Sequence, residues 1–405
     1  MNSKLPSWKR HSYPETDKHR MYPQGFTRWR PRVLEGKHPA AASDRTLVTV
    51  RLDNIDPDLA DGLSHLMGGR VQTDVGPRPG AVDIVLEAVV GREPPESESS
   101  SDLPAAIAYA IRAWRRTARA LELPAGSLSL GGRTRVMGIL NCTPDSFSDG
   151  GQFDDVDCAV AHAMAMAEAG ADIIDVGGQS TRPGSRPVGP EEEIRRTIPV
   201  IEKLADLVDA PISIDTWHAP VARAALEAGA SIVNDITALR GDPDMAGLVA
   251  EAGAGLVLMH MQGTPETMQK SPRYDDVAGE VYGFLAERVE AAVEAGVDPS
   301  RLVVDPGIGF GKTMDHNLAL LNAMDSFRSL DCPVLIGASR KSFIGNISKA
   351  TADKRLGGSI AVAVLAATRG IEIVRVHDVP ETVQAIRVTE AIEGLEAKPD
   401  RQHVG

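Results

Sequence analysis

Eight short apolar runs lie between Arg135 and Glu393, each followed by one or more polar residues, and this spacing constrains the fold more than any other feature of the 405-residue chain. The runs alternate with segments that have the apolar period of a helix. Strands that are apolar on both faces and alternate with helices indicate a parallel sheet covered by helices. Eight such units in about 270 residues favour a (β/α)8 TIM barrel over an open doubly wound sheet.

A four-residue phrase marks the joints between helices and strands in this region. It occurs as Glu-Ala-Gly-Ala at residues 168–171, 227–230 and 251–254, and as Glu-Ala-Gly-Val at 294–297. Glycine suits the left-handed position that ends a helix, and a run rich in Val, Ile or Leu follows each phrase. The segments between such joints predict helices over residues 156–169, 191–207, 219–228, 277–295, 316–329, 357–369 and 379–393.

The residues before the barrel divide into two parts. Residues 1–43 hold nine Lys or Arg against three acidic residues and have no sustained apolar period, which predicts a basic, flexible tail. Residues 44–125 contain the strand-like stretches TLVTVRL and VDIVLEAVV, a short helix at 57–63 and a helical pattern over 103–121, which predict a small α+β appendage of unassigned role. The barrel domain is assigned to 126–398.

The stretch SLSLGGRTRV, at residues 127–136, predicts a β-hairpin immediately before the first barrel strand. Its turn is expected at Gly131-Gly132, because paired glycines favour a tight two-residue turn. A hairpin in this position would plug the floor of the barrel.

Composition bounds the class of protein. With 42% hydrophobic residues and a net charge of −13, the chain can bury a large core. It has no apolar stretch near the roughly 20 residues that span a bilayer and no apolar core of a secretory signal, so a cytoplasmic location is expected. A basic tail can contact nucleic acid or an acidic partner, but no aromatic-interleaved binding fold accompanies this one, which favours a solvated leader.

The cysteines indicate no metal or disulfide chemistry. Cys142, Cys158 and Cys332 are odd in number, lie far apart and lack CxxC spacing, so neither a disulfide framework nor a thiolate zinc site is indicated. Buried thiols without a chemical role are expected, above all for Cys158 and Cys332.

Polar residues behind the strands of such a barrel meet at one mouth, where the βα loops form its site. Asp215, Asn234 and Asp305 offer acceptors and an amide donor, and Lys341 offers an ammonium. Together they suit the edge of a heterocycle with an amide-like pattern of donors and acceptors.

A second set of residues suits an anion such as phosphate or pyrophosphate. This set consists of Arg182, Arg340, Arg375 and His377. The loops after the seventh and eighth strands of a barrel commonly hold phosphate. One rim of the mouth would therefore bind a ring and the other an anionic leaving group.

Three polar residues near the strand ends have a structural interpretation as well. Asp235 serves the site or hydrogen-bonds a neighbouring loop or helix N-terminus. His260, between two methionines, contacts a ligand or is a satisfied wall residue. Asp175 is assigned to structure because it precedes its loop by two residues. Function is favoured for the residues whose burial needs a charged or polar partner: Asp215, Asp305, Lys341, Arg375 and His377.

The glycine-rich segment 307–313 imitates a nucleotide-binding loop. The GxxxxGK[ST] motif requires glycine at position 306, where this chain has Pro306, and the spacing is GxGxG rather than GxGxxG. A nucleoside triphosphate site is therefore not expected. The glycines are expected to bring the backbone close to a flat ligand above the mouth.

A series of motifs through the barrel resembles that of the dihydropteroate synthases, in the family's order over about 265 residues. The motifs are GILNCTPDSFSDGG (138–151), DVGGQSTRPG (175–184), SIDT (213–216), IVND (232–235), MHMQG (259–263), DPGIGFGK (305–312), GASRKSFIG (337–345) and RVHDV (375–379). Single motifs are weak signals, whereas the ordered set is specific. Gln179 departs from the pattern, since Glu is common in the family at that position.

The resemblance implies a transferase of folate synthesis. Its members condense 6-hydroxymethyl-7,8-dihydropterin pyrophosphate with p-aminobenzoate to give dihydropteroate and pyrophosphate, through an SN1-like loss of pyrophosphate. It also implies Mg2+ as cofactor, a homodimer, small-molecule substrates without membrane partners, and sulfonamides as mimics of the aminobenzoate.

Matching motifs also imply roles for individual residues. Asp215, Asn234, Asp305 and Lys341 would hold the pterin. The pyrophosphate would be bound by Asn141, Arg375 and His377, with Asn141 also near the Mg2+. The remaining substrate-binding positions are Thr181 and Arg182 on the second loop, Met259 and Gly337, and Phe310 and Ser339 at the aminobenzoate.

Two other functions share parts of this pattern. A methyltransferase domain that passes a folate methyl group to a corrinoid has the barrel and the ring-binding carboxylates, but has no reason to keep the Asn141 loop or the Arg375-Val-His377 site. A noncatalytic pterin-binding scaffold would need neither the anion site nor two closing loops. Both are disfavoured by the intact set.

Overall fold

The computed structural model describes residues 31–35, 45–52, 70–73, 82–89, 102–117, 119–142, 152–179 and 188–394. Its first strands are β1 (Arg32–Glu35), β2 (Arg45–Leu52), β3 (Arg70–Thr73) and β4 (Val82–Val89). They form an antiparallel sheet in the order β1-β2-β4-β3. Both strand-like stretches predicted for the appendage are strands, whereas the helix predicted at 57–63 lies outside the described residues.

Strand β1 lies within the segment that the sequence predicts to be a tail, so that prediction is wrong for residues 31–35. The backbone N–H of Val33 donates to Ser329 Oγ at 3.2 Å, and the hydroxyl of Tyr282 donates to the carbonyl of Pro31 at 2.7 Å. Val33 is buried. The strand is thus held by contacts with residues some 250–300 positions away, which no local pattern contains.

Helix α1 (Asp102–Arg115) is followed by the strands β5 (Arg119–Leu123) and β6 (Gly126–Leu130). The predicted helix over 103–121 therefore runs too far, because residues 119–123 alternate inward and outward as a strand does. A β-hairpin does precede the barrel, but its predicted bounds of 127–136 are wrong, because the structure pairs β5 with β6 through a turn at residues 124–125. Gly131-Gly132, with positive φ angles of 92° and 82°, instead joins the hairpin to the barrel.

The barrel has eight parallel strands, as predicted. They are β7 (Arg135–Asn141), β8 (Ile173–Gly177), β9 (Ile212–Asp215), β10 (Ile232–Asp235), β11 (Gly255–Met259), β12 (Leu302–Asp305), β13 (Leu335–Ile336) and β14 (Ile373–Val376). Parallel pairing runs through β12-β11-β10-β9-β8-β7-β14-β13. An isolated parallel bridge between Val304 and Val334 joins the two ends of this series and closes the (β/α)8 barrel.

Helices surround the strands. They are α2 (Gln152–Glu168), α3 (Pro190–Leu204), α4 (Ala219–Ala228), α5 (Met245–Ala252), α6 (Val277–Glu294), α7 (Met314–Asn322), α8 (Ser342–Ser348), α9 (Leu356–Thr368) and α10 (Val379–Ile392). The short α5 and α8 were not predicted. The helix predicted over 316–329 is α7 followed by a 3-10 helix at Met324–Leu330.

The predicted joints are confirmed at each recurring phrase. Gly170, Gly229, Gly253 and Gly296 adopt positive φ angles of 99°, 119°, 62° and 100°. A side chain would be strained in this region of backbone space, which explains why glycine stands at the point where each helix ends.

The floor of the barrel is apolar and plugged by the hairpin. One buried cluster combines hairpin leucines with inward residues of the strands: Leu121, Leu123, Leu130, Met137, Ile173, Ile232, Val257, Val303, Leu335 and Ile373. Successive inward residues of a strand are two positions apart. The next inward positions are therefore 139, 175, 234, 259, 305, 337 and 375. Four of them are polar, namely Asp175, Asn234, Asp305 and Arg375, whereas Ile139 and Met259 are apolar and Gly337 has no side chain.

Two other expectations concern the cysteines and the membrane. Cys142 and Cys332 are buried, but Cys158 is exposed, so the prediction of a buried thiol is wrong there. In the described ranges, no helix combines the length and the apolar character needed to cross a membrane.

Candidate active site

Arg375 lies at the centre of the polar layer above the floor. Its Nε donates to Asp175 Oδ2 at 2.6 Å and its Nη2 donates to Asp215 Oδ2 at 2.7 Å. Asp175 Oδ2 also accepts from Asn234 Nδ2 at 3.1 Å. The ends of β8, β9, β10 and β14 are thereby tied together through one guanidinium group.

Burial and shared partners shift the pKa values of Asp215 and Arg375. Burial raises the pKa of Asp215, Arg375 opposes the shift and the charge of Asp175 adds to it, so that the net pKa is about 7. Burial lowers the pKa of Arg375, but the charges of Asp175 and Asp215 outweigh it, so the net shift is upward. Near neutral pH, Arg375 is therefore charged while Asp215 is poised between its two forms.

Asp305 and Lys341 face each other across Gly337. A Cβ atom on Gly337 would lie 3.9 Å from both Asp305 Oδ2 and Lys341 Nζ, and 3.8 Å from Arg375 Cβ. Burial lowers the pKa of Lys341 to about 8, with Asp305 opposing, and burial raises the pKa of Asp305, with Lys341 opposing. Glycine at 337 leaves open the space into which these groups project.

Lys341 also contacts the glycine-rich loop. Its Nζ donates to the carbonyl of Ile308 and lies 4.5 Å from the ring centroid of Phe310, as in a cation–π contact. Asp305 Oδ1 accepts from the N–H of Gly307 at 2.7 Å. The loop predicted to approach a flat ligand is thus fastened to the two charged residues that flank Gly337.

Ser339 and His377 form a second contact on the rim. Ser339 Oγ accepts from the backbone N–H of His377 at 3.2 Å and lies 3.0 Å from His377 Nδ1. Arg340, by contrast, is exposed and donates through Nε to Asp378 Oδ2 at 3.0 Å. Its charge is already compensated, which weakens the interpretation of Arg340 as an anion ligand.

Asn141 faces the mouth from the end of β7. Its Oδ1 lies 4.0 Å from the position that a Cβ on Gly177 would take, and Asp215 Oδ2 lies 3.8 Å from that position. The two oxygens therefore border the same space at the ends of β7, β8 and β9.

An apolar wall adjoins the charged residues. Met259 is buried in a cluster with neighbouring apolar residues and packs with half-buried aromatic rings: Ile236, Met261, Met268, Trp217 and Phe310. The mouth thus combines a polar edge with an apolar face, the combination that a flat heterocycle requires.

The comparisons with known proteins agree with this geometry. A family model described as pterin binding enzyme matches residues 137–377. The dihydropteroate synthase of Escherichia coli strain K12 is 48% identical over 268 residues, which are 66% of this chain and 94% of that protein. The chain belongs to the dihydropteroate synthase family of pterin-binding enzymes.

Solved structures of dihydropteroate synthases superpose on the barrel. That of Xanthomonas albilineans with 4-aminobenzoic acid has a TM-score of 0.65 at 47% identity, and covers 68% of this chain and 99% of its own. The same enzyme in complex with 7,8-dihydropteroate has a TM-score of 0.62 at 45% identity, with 68% and 98% covered. About a third of this chain lies beyond the aligned dihydropteroate synthase barrel.

His260 is a wall residue of this dihydropteroate synthase barrel. Its Nδ1 lies 2.9 Å from Nζ of the buried Lys312, and its ring meets Phe284 edge to face. Lys312 also donates to the carbonyl of Phe310 at 2.9 Å. Burial lowers the pKa of both groups, and the contacts of Lys312 with His260 and Phe310 tie it to the glycine-rich loop.

Asp235 orders its own loop. Its Oδ1 accepts from the N–H and the hydroxyl of Thr237 at 2.8 and 2.7 Å, and its Oδ2 accepts from the N–H of Leu239 at 2.7 Å. Ala238 and Leu239 both have positive φ angles, 52° and 64°. The carboxylate thus stabilises a strained backbone, and the loop interpretation of Asp235 is the one that the contacts support.

Some predicted site residues of the dihydropteroate synthase motifs are not placed. Thr181 and Arg182, and the first loop at 143–151, lie outside the described residues. Gln179 is buried, and its Oε1 has no hydrogen-bond partner in the described part of the chain.

Two residues in contact with the site were not assigned to it from the sequence. Asp175 was assigned to structure, yet it bonds directly to Arg375 and Asn234. The sequence pattern identifies Lys312 only as part of a segment that imitates a nucleotide-binding loop. For Asp175 a signal existed, because it stands two residues after the floor residue Ile173 and so points inward.

Proposed function

We propose that this chain condenses 6-hydroxymethyl-7,8-dihydropterin pyrophosphate with p-aminobenzoate to give 7,8-dihydropteroate and pyrophosphate. The observation that carries the proposal is the convergence of Asp215, Asn234, Asp305 and Lys341 around Arg375, each from a different strand end. The sequence similarity to the Escherichia coli enzyme supports it over 94% of that protein. The reaction class is that of a transferase.

The site suits a pterin because its polar edge is mixed. Carboxylate and amide oxygens of Asp215, Asn234 and Asp305 accept the N–H groups of the ring, and Lys341 donates to its carbonyl or ring nitrogen. Met259 and Phe310 supply the apolar surface against which the ring face packs. Ser339 at the rim, with Phe310, would contact the aminobenzoate.

Leaving-group binding is proposed for the residues on the other rim. Arg375 and His377 would hold the pyrophosphate through charge-assisted and neutral hydrogen bonds, with Asn141 beside them. Arg375 is already bonded to Asp175 and Asp215, so it would offer the pyrophosphate its remaining N–H donors while those carboxylates fix its plane. The preorganised donors would stabilise charge as it develops on the leaving oxygen.

Magnesium is proposed as the cofactor, and the donor set fits it. Mg2+ usually takes one or two protein oxygens and completes its shell with substrate phosphates and water. Asn141 Oδ1, which borders the same space as Asp215 Oδ2, provides such an oxygen. In the described residues no group of three or more His, Cys, Asp or Glu is arranged as a metal cage. Bound there, the ion would neutralise charge on the pyrophosphate.

The bond changes then follow from the charges. The carbon–oxygen bond between the pterin methylene and pyrophosphate breaks with both electrons leaving on oxygen, and the carboxylates of Asp215 and Asp305 stabilise the cationic methylene. The amino nitrogen of p-aminobenzoate attacks that carbon, and its proton is lost to solvent or to the released pyrophosphate. The route needs no nucleophilic side chain, and His377 and Lys341 need only bind and orient.

The homodimer and the location are also proposals. Of the seven large hydrophobic residues exposed in the described part of the chain, all but Leu207 lie on α7 to α10: Met314, Leu318, Ile347, Leu365, Val388 and Ile392. Exposed apolar residues gathered on neighbouring helices favour burial against a second copy. A cytoplasmic location and the absence of nucleic-acid or membrane partners stay predictions.

Purified protein supplied with both substrates and Mg2+ tests the function. Dihydropteroate, detected by mass spectrometry, and stoichiometric pyrophosphate are expected. Methyl transfer from methyltetrahydrofolate to a corrinoid, without dihydropteroate, would instead indicate the methyltransferase alternative. Tight pterin binding with neither reaction would indicate a scaffold.

A further inference from the structure

Asp175 is fully buried and holds two residues of the site with one oxygen. Its Oδ2 accepts from Arg375 Nε at 2.6 Å and from Asn234 Nδ2 at 3.1 Å. Its Oδ1 is buried and has no hydrogen-bond partner in the ranges that the structure describes. The carboxylate is therefore aimed at the site rather than at the surrounding barrel.

We propose that Asp175 is a positioning residue that fixes the guanidinium plane of Arg375 and the amide of Asn234, and that it shares Arg375 with Asp215. This inference rests on the proposed function. Asp175 would not touch the reacting atoms and would act only through these neighbours. A charge-assisted bond through Nε leaves Arg375 one orientation in which Nη2 reaches Asp215.

The sharing has an electrostatic consequence that a merely structural role lacks. A guanidinium divided between two carboxylates neutralises each of them less than a guanidinium bonded to one. The charge of Asp175 is accordingly among the causes that raise the pKa of Asp215. Removal of that charge would leave Arg375 to Asp215 alone, and Asp215 would ionise at lower pH.

Other charges act on Asp215 and stay in place when Asp175 is changed. Those that interact with it from neighbouring elements are Arg375, Lys341, Glu193 and Asp235. Because these four are the same in every variant of Asp175, a shift in the ionisation of Asp215 is assigned to the charge that was removed.

The experiment compares the pH dependence of kcat/KM for the pterin pyrophosphate in four variants and the unmodified protein. Asp175→Asn removes the charge and keeps an acceptor, Asp175→Ala removes both, and Asp175→Glu keeps the charge at a greater length. The matched control is Ser213→Ala, because Ser213 pairs in register with Asp175 and its buried Oγ also has no described partner.

The expected result depends on whether the side chain at position 175 keeps its negative charge. The acid limb of the unmodified protein should have its midpoint near the pKa of Asp215, about 7. Asp175→Asn and Asp175→Ala should move that midpoint to lower pH and lower the plateau by up to about 100-fold, because Arg375 is misplaced. Asp175→Glu should keep the midpoint, and the KM for p-aminobenzoate should not change.

Each other outcome overturns the inference. If the plateau of kcat/KM falls while the midpoint of the pH profile stays in place, Asp175 has a structural role alone. The same conclusion follows if all three Asp175 variants fail to fold while Ser213→Ala folds. A shift of the same size in Ser213→Ala removes the assignment to charge. An unmodified protein that forms no dihydropteroate overturns the proposed function and this inference with it, whereas an active one with unmoved midpoints overturns the inference alone.

Discussion

Nη2 of Arg375 lies 2.7 Å from Oδ2 of Asp215, although the two residues are 160 positions apart in the chain. The contact crosses the barrel mouth and joins the two residues expected to hold opposite ends of the substrate. Because it combines burial with charge, it makes stability, binding and catalysis all depend on the protonation of one carboxyl group.

The raised pKa of Asp215 predicts a stability that depends on pH. Below about pH 4 the carboxyl group of Asp215 carries a proton in both the folded and the unfolded state. Between about pH 4 and pH 7 only the folded state keeps that proton. The contribution of Asp215 to the free energy of unfolding is therefore lost as pH rises through 7. Asp215→Asn cannot titrate. We compare the free energy of unfolding in urea of the variant with that of the unmodified protein. From about pH 5 to about pH 8 the difference between them should change in favour of the variant. An equal difference at both pH values would contradict the assignment.

Lys341→Ala should remove pterin binding. Lys341 faces Asp305 across Gly337. Because it is proposed to donate to the pterin ring, its loss should weaken binding by about 3 kcal/mol, over about 100-fold. Calorimetric titration with the pterin pyrophosphate and Mg2+ measures this. Lys349→Ala, at the exposed C-terminal end of α8, is the control and should bind normally. Near-normal turnover of Lys341→Ala would refute the role given to Lys341.

Asp235→Ala should destabilise the barrel through its loop. The change removes three hydrogen bonds that hold Ala238 and Leu239 at positive φ, and should lower the free energy of unfolding by about 1–3 kcal/mol. Asp244→Ala is the control, since Asp244 is exposed on the same loop and makes no side-chain cap. Equal stability of the two variants in urea would show that Asp235 does not order the loop.

Arg119→Met should destabilise the junction between the appendage and the barrel floor. The buried Arg119 lies 3.1 Å from the half-buried Asp331 and 3.3 Å from the buried Glu372, so its loss leaves both carboxylates short of a partner and should cost about 3–5 kcal/mol. The exposed Arg116 also pairs with Asp331, and Arg116→Ala should cost about 1 kcal/mol or less. Denaturant unfolding compares the two, and similar losses would mean that the buried network is unimportant.

The same contacts bear on truncation. A chain starting at Ala125 would lose Arg119 and the floor leucines Leu121 and Leu123, whereas one starting at Thr117 would keep all three. The chain starting at Thr117 should fold and the chain starting at Ala125 should not, as circular dichroism would show. Equal folding of both would mean that the hairpin is dispensable.

The barrel and the inward direction of several candidate site residues were predictable because both depend on strand period. Asn234, Asp305 and Arg375 each stand two residues after an apolar floor residue, so alternation alone points them inward. Parallel strands then bring their carboxyl ends to one mouth. The local pattern and the global fold agree in these segments, which is why prediction succeeded there.

Contacts between distant segments were not predictable. Val33 is buried because Ser329 and its neighbours lie beside it, and α1 ends at Arg115 because residues 119–123 pair with β6 under the barrel. The same holds for Asp175, whose partners stand 59 and 200 positions away. Sequence period shows which way such a side chain points but not what it meets.

Strand β13 contributes two residues to the barrel and meets β12 through one bridge, yet Gly337, Ser339 and Lys341 all follow it directly. A segment with so few main-chain bonds opens at a smaller free energy than its neighbours. Substrate bound as proposed, between Asp305 and Lys341, would span this gap from inside. An occupied mouth would therefore reinforce the ring of strands where its own hydrogen bonding is sparsest.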